Sequence, residues 1–248
     1  MRQVTGFSYG HRGRAIQEFT ELPRSLVGKV GQASVRKELA LTPVPQLPDD
    51  VPLDQGNTIV DNFVTAFYTL YSNLDVPLPS SYPSEIAPSD PHRPFLIYGA
   101  GTTSGQYAIQ LLALQGYKNI IAAASKRHEA TLKAFGATSL VDYNSPNFVE
   151  EVTAAVKAGS DKSGKVDAVV DCVTLTESVE KIGKVISPQG QLAFLAPLKH
   201  GGSLAGVGGE LYTEFPPDVV ALLPAGVKVI CVRTFQFQNV RHRIFGPQ

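Results

Sequence analysis

The chain has 248 residues, with 22 lysines and arginines balancing 22 aspartates and glutamates and only two cysteines. This is enough chain for a large self-supporting core. A disulfide scaffold is excluded, and a zero net charge removes the electrostatic reason to expect nucleic acid or an anionic membrane as partner. A small-molecule ligand and an intracellular, cytoplasmic setting follow as expectations. The N-terminal MRQVTGFSYGHRGRA lacks a signal-peptide core, and no apolar run reaches the roughly 18–20 residues of a membrane span.

In chain order, residues 1–60 read as short extended pieces between turns, with alternation in AIQEFTEL and a Pro-rich TPVPQLPDDVP that forbids long helices. A helix is expected from about Asn57 to Asn73, because Val60, Phe63, Val64, Phe67, Leu70 and Tyr71 recur at spacings of three and four. The following VPLPSSYPSEIAPSDPHRP is too dense in Pro and Ser to be anything but irregular loop.

From Phe95 onward short apolar runs alternate with helix-length segments, as βαβ units do. Strands are predicted at 95–98, 119–124, 139–141, 166–171, 191–196 and 227–234. Helices are predicted at about 104–115, 128–135, 147–157, 176–185 and 217–223. Gly116 and Gly136 fall where a left-handed helix cap favours glycine. The expected fold class is therefore α/β, a doubly wound parallel sheet of Rossmann type. No internal repeat is visible.

The stretch with most chemical content is FLIYGAGTTSGQYAIQLLALQ, residues 95–115. A buried strand runs through Gly99, Gly101, Thr102, Thr103, Ser104 and Gly105 into an apolar helix. Glycines at 99 and 101 permit a tight turn and close approach of backbone amides to a diphosphate, and the helix N-terminus adds partial positive charge. Gly105 lets helix and strand pack closely. The spacing G-x-G-x-x-x-G is one residue longer than the usual fingerprint, so its weight comes from the strand before it and the helix after it; a merely flexible turn is the plain alternative.

A site for NAD places Asp or Glu at the end of the second strand, about 20 residues further on, to hold the ribose 2′-hydroxyl. Here the sequence is Ala124, Ser125, Lys126, Arg127, His128. A hydroxyl and two cations suit a 2′-phosphate, so NADPH is the expected cofactor; a solvated basic helix start is the alternative. The five histidines and two cysteines show no ligand spacing, so no metal is expected.

Together, YGAGTTSGQYAIQLLALQGY, IIAAASKRHEATLKAFGATSLVDYNSP, VDAVVDCVT, ISPQGQLAFLAPLK and ELYTEFPPDVVALLPAGVKVICVRTF resemble the medium-chain dehydrogenase/reductase superfamily. The likeness is to its zinc-independent quinone reductase and fungal enoyl reductase branches. It implies a Rossmann domain at residues 61–248 and part of a β-rich GroES-like catalytic lobe at 1–60, with both ends shorter than in relatives. By position it implies that Thr102, Thr103, Ser104 and Gly105 line the pyrophosphate. Ser125, Lys126 and Arg127 would hold the 2′-phosphate with His128 nearby, and Tyr143 would reach the adenosine phosphate. Thr65, Leu195, Ala196 and Pro197 would lie near the nicotinamide, and the backbone of Asp171, Cys172 and Val173, at the carboxyl edge of the sheet, would approach the cofactor, with ordinary packing as the alternative for each. The implied activity is NADPH-dependent hydride transfer to an activated C=C bond or a quinone; the alternative is a non-catalytic NADPH-binding relative. A homodimer through the last strand is also implied. No spacing selects a proton donor among Tyr9, Tyr68, Tyr71 and Tyr98.

Overall fold

The computed structural model describes residues 4–6, 27–29, 59–195, 197–202, 208–234 and 236–237. The chain divides into two compact units, Met1–Val64 and Thr65–Gln248. In the first, β1 (Val4–Gly6) and β2 (Val27–Lys29) pair antiparallel, with Val4 opposite Lys29. The rest of the expected β-rich lobe, with Tyr9 and His11, lies outside the described residues.

The helix expected at 57–73 is present from Ile59 to Asn73, but only its middle is α-helical. One α-helical stretch, α1 (Val64–Tyr68), stands between two wide π turns, Ile59–Phe63 and Thr69–Asn73. Thr69 Oγ1 donates to the Thr65 carbonyl at 2.7 Å and Asn73 Nδ2 to that of Tyr68 at 2.9 Å. The Leu74 amide reaches back five residues, to the Thr69 carbonyl at 2.9 Å, and the Leu70 carbonyl, its partner in an α-helix, accepts the Val76 amide at 3.0 Å instead.

The second unit is built on six parallel strands. These are β3 (Phe95–Tyr98), β4 (Ile120–Ala123), β5 (Ser139–Val141), β6 (Val166–Asp171), β7 (Ile186–Leu195) and β10 (Lys228–Val232). Their order is β10-β7-β6-β3-β4-β5. The connecting helices are α2 (Thr103–Gln115), α3 (Glu129–Ala134), α4 (Phe148–Ala158), α5 (Thr176–Val185) and α6 (Pro217–Val220). Strand order reverses at β3, which has β4 on one side and β6 on the other, so the loops after these strands diverge and leave a crevice at their carboxyl ends.

Because helices cover both faces, the central strands carry no polar side. All four residues of β3 and of β4 are buried. Each large side chain so enclosed contributes about 1.5–3 kcal/mol of transfer free energy.

Two boundaries depart by three or more residues from the sequence reading, and one strand pair is new. Strand β7 starts at Ile186 with no loop after α5, not at 191. Between the pairs Val166–Ile186 and Ala168–Gln191 the residues Ser187, Pro188, Gln189 and Gly190 bulge out, as a proline without an amide requires. The helix expected to reach 223 ends at Val220 and closes with tight turns before Pro224. A short antiparallel pair, β8 (Leu198–His200) with β9 (Glu210–Tyr212), was not legible in the sequence.

Candidate active site

The turn after β3 is held to the sheet by backbone, since the amides of Gly99 and Ala100 donate to the Ala123 carbonyl at 3.0 and 3.1 Å. Gly99 has a φ of +75°, which strongly favours glycine. Thr102 is the N-cap of α2, and its hydroxyl accepts the Gly105 amide at 3.2 Å. Gly105 lies against backbone: a Cβ there would stand 2.9 Å from Ala100 Cα and 3.0 Å from the Gly99 carbonyl oxygen. The helix thus starts directly on the strand end, and its N-terminal amides and dipole face the crevice.

At this point the molecule has a cleft of about 340 Å³. The turn contributes Gly99, Gly101 and Thr102, the end of β4 contributes Ser125, Arg127 and His128, and Tyr143 comes from the segment after β5. These seven anticipated residues meet in one place although they span more than forty positions of sequence. The His128 ring lies over Gly101, where an added Cβ would meet its Cδ2 at 2.9 Å. Arg127 Nε donates to His128 Nε2 at 3.1 Å, which requires that ring nitrogen to carry a lone pair.

Other anticipated residues do not line this cleft. Thr103 and the buried Ser104 and Gly105 belong to the first turn of α2. Lys126 is exposed in the tight turn Lys126–His128, pointing the cationic character of the cleft to Arg127. Thr65 is buried and its hydroxyl shares a 3.0 Å hydrogen bond with that of Thr234. Leu195 ends β7, where its carbonyl accepts the Thr174 hydroxyl at 2.9 Å. Ala196 lies outside the described residues. Cys172 follows β6, and burial pushes its thiol up to about 12, so it stays protonated and unreactive at neutral pH.

Sequence reasoning missed Tyr98, Ala124, Asn144, Leu175, Glu177 and Ser178 as lining residues, whereas Val173, expected with Asp171 and Cys172 at the carboxyl edge of the sheet, does line the cleft. The available signal was positional, since each follows or ends a strand at the carboxyl edge of the sheet. Glu177 is paired with Lys181 at 2.7 Å, and the same ammonium donates to the Tyr143 carbonyl at 2.8 Å, tying the Tyr143 segment to α5. Among the tyrosines considered as proton donors, Tyr98 lines the cleft, with burial, first, and Asp171 raising its pKa. Tyr71 donates to Gln115 Oε1 at 3.2 Å, and Tyr68 is buried.

The residues fit a dinucleotide. Glycine backbone and a helix N-terminus suit a diphosphate, and the hydroxyl and guanidinium at the end of β4 suit a further phosphate. They do not fit a metal: among the described residues no group of three or more His, Cys, Asp or Glu side chains is placed to hold an ion. Among the same residues no helix is long and apolar enough to cross a membrane.

Comparison with known proteins gives a consistent family. The family model described as zinc-binding dehydrogenase matches residues 105–242. A dual trans-enoyl reductase/FAD-dependent monooxygenase of Aspergillus terreus is 33% identical over 156 residues, 62% of this chain and 21% of that protein. A trans-enoyl reductase of Aspergillus japonicus is 26% identical over 72% of this chain and 54% of its own length. The chain thus spans from a fifth to about half of these curated relatives. Among solved structures, a quinone oxidoreductase of Pseudomonas syringae pv. Tomato superposes with a TM-score of 0.58 at 18% identity, over 88% of this chain and 53% of that one.

Proposed function

The chain belongs to the zinc-binding dehydrogenase family of the medium-chain dehydrogenase/reductase superfamily, and from that premise we propose that it is an NADPH-dependent reductase of activated C=C bonds, such as enoyl thioesters and enones, or of quinones. The observation that carries this reading is the cleft at the strand-order reversal, where a glycine turn and a helix N-terminus face Ser125, Arg127 and His128. The names of the relatives, enoyl and quinone reductases, support the acceptor class.

Bound there, a nicotinamide cofactor supplies the hydride. The turn Gly99–Thr102, at the positive end of the α2 dipole, holds its diphosphate, and Arg127 with Ser125 holds the 2′-phosphate. Tyr143 flanks the adenosine. Thr65, Leu195 and Ala196 are assigned to the nicotinamide side, where the protein orients the acceptor, and the backbone at Cys172 is assigned to the cofactor.

The test is a titration of the purified protein with NADPH and with NADH, followed by NADPH oxidation in the presence of an enone, an enoyl thioester and a quinone. Tighter NADPH binding with turnover of at least one acceptor is expected. Binding without turnover would leave a cofactor-binding protein that is not a reductase; no binding would remove both readings.

A further inference from the structure

The carboxylate of Asp171, at the end of β6, is fully buried two residues before Val173 of the cleft wall, and no step above uses it. Its Oδ1 accepts the amides of Val173 and Thr174, each at 2.9 Å, and its Oδ2 accepts the Ser178 hydroxyl at 2.6 Å. Ser178 is itself locked, since the Leu175 amide donates to its Oγ at 2.9 Å. One carboxylate thus pins the whole turn from Val173 to Ser178, in which Val173, Leu175 and Ser178 line the cleft while Asp171 does not.

The pinned turn adopts a conformation it would not choose alone. Thr174 has a φ of 54°, a left-handed value that a β-branched residue holds only when its surroundings dictate it. Its hydroxyl bonds the Leu195 carbonyl at 2.9 Å, and its carbonyl accepts the Lys199 amide at 3.0 Å, so the turn is also fastened to the end of β7 and to β8. The consequence reaches the phosphate turn. Val173 leans over Gly99, where an added Cβ would stand 2.5 Å from Val173 Cγ2. Val173 therefore sets how far the cleft opens above Gly99.

We propose that Asp171 is a positioning residue for the cofactor, which fixes the Val173–Ser178 turn as one wall of the cleft and so holds Val173 against the phosphate-binding turn. This rests on the NADPH reading and adds to it a residue that acts without touching the ligand. Hydrogen-bond geometry is what matters, so an uncharged group with the same acceptor oxygen should serve. Asparagine can accept both amides, and the Ser178 hydroxyl can rotate to accept from the Asn amide.

The experiment is NADPH titration by cofactor fluorescence, with thermal melts in parallel, on wild type, Asp171→Ala, Asp171→Asn, Val173→Ala and Val156→Ala. The last is a core truncation on α4 away from the cleft. Asp171→Ala should lose at least about tenfold in NADPH affinity and Asp171→Asn stay within about threefold of wild type. Val173→Ala should weaken binding by about three- to tenfold, and Val156→Ala should lower Tm with wild-type affinity. The proposal is overturned if folded Asp171→Ala binds like wild type, or if Val156→Ala loses as much affinity as Asp171→Ala. Should Asp171→Ala not fold, wild-type binding by Val173→Ala, a half-buried position, overturns it. A wild-type protein that binds no NADPH defeats the cofactor reading itself, a result distinct from any of these.

Discussion

Arg127 and Lys126 are neighbours in sequence and both cationic, yet only Arg127 reaches the cleft, because the tight turn Lys126–His128 rotates successive side chains away from one another. Charge-assisted hydrogen bonds of the kind Arg127 offers a 2′-phosphate are worth about 1.5–3 kcal/mol, or about 10- to 100-fold in affinity. Arg127→Ala should therefore weaken NADPH by that factor relative to NADH, while Lys126→Ala changes the ratio by less than about threefold. Isothermal titration with both cofactors checks this; equal losses for NADPH and NADH, or a larger effect at Lys126, would contradict the assignment. The motif letters were readable here, but the division of labour between adjacent cations was not, since it depends on the pitch of one turn.

At the scale of elements, the helices and strands of the second unit were largely visible in the sequence because their apolar periods match their burial. Gly136 shows how a single residue closes such an element. It follows Phe135 after α3 with a φ of +109°, and its amide bonds the Lys133 carbonyl at 3.0 Å. A Cβ there would collide with that of Ala113 on α2. Gly136→Ala combines backbone strain with overpacking and should cost about 2–4 kcal/mol, read as a lower urea midpoint at unchanged slope. A cost below about 0.5 kcal/mol would mean that α2 and α3 yield at this contact. The elements that escaped the sequence reading, the π turns around α1 and the β8–β9 pair, share a cause. Each is decided by hydrogen bonds that periodicity does not register, the closure of the Leu74 amide on the Thr69 carbonyl in one case and a strand ten residues away in the other.

At the scale of the whole molecule, β10 ends the described part of the sheet and pairs only with β7 there. The edge of β10 turned away from β7 carries backbone groups suited to pairing with a second copy. A homodimer through this edge is accordingly expected, and sedimentation velocity over a micromolar range should show it; a monomer throughout would exclude it. Local composition and period were enough to establish the parallel α/β architecture, the glycine turn opening α2 and the basic end of β4, because backbone freedom, helix polarity and burial act over a few residues. The assembly of the cleft was not a local matter. Tyr98, Val173, Glu177 and Ser178 join Arg127 and Tyr143 only because the strand order reverses beside β3, and Asp171 acquires its three donors only when β6 delivers it, desolvated, beneath the next turn. Such contacts are set by how distant segments pack, and a buried hydrogen bond has no signature along the chain until packing has excluded the water that would otherwise satisfy it.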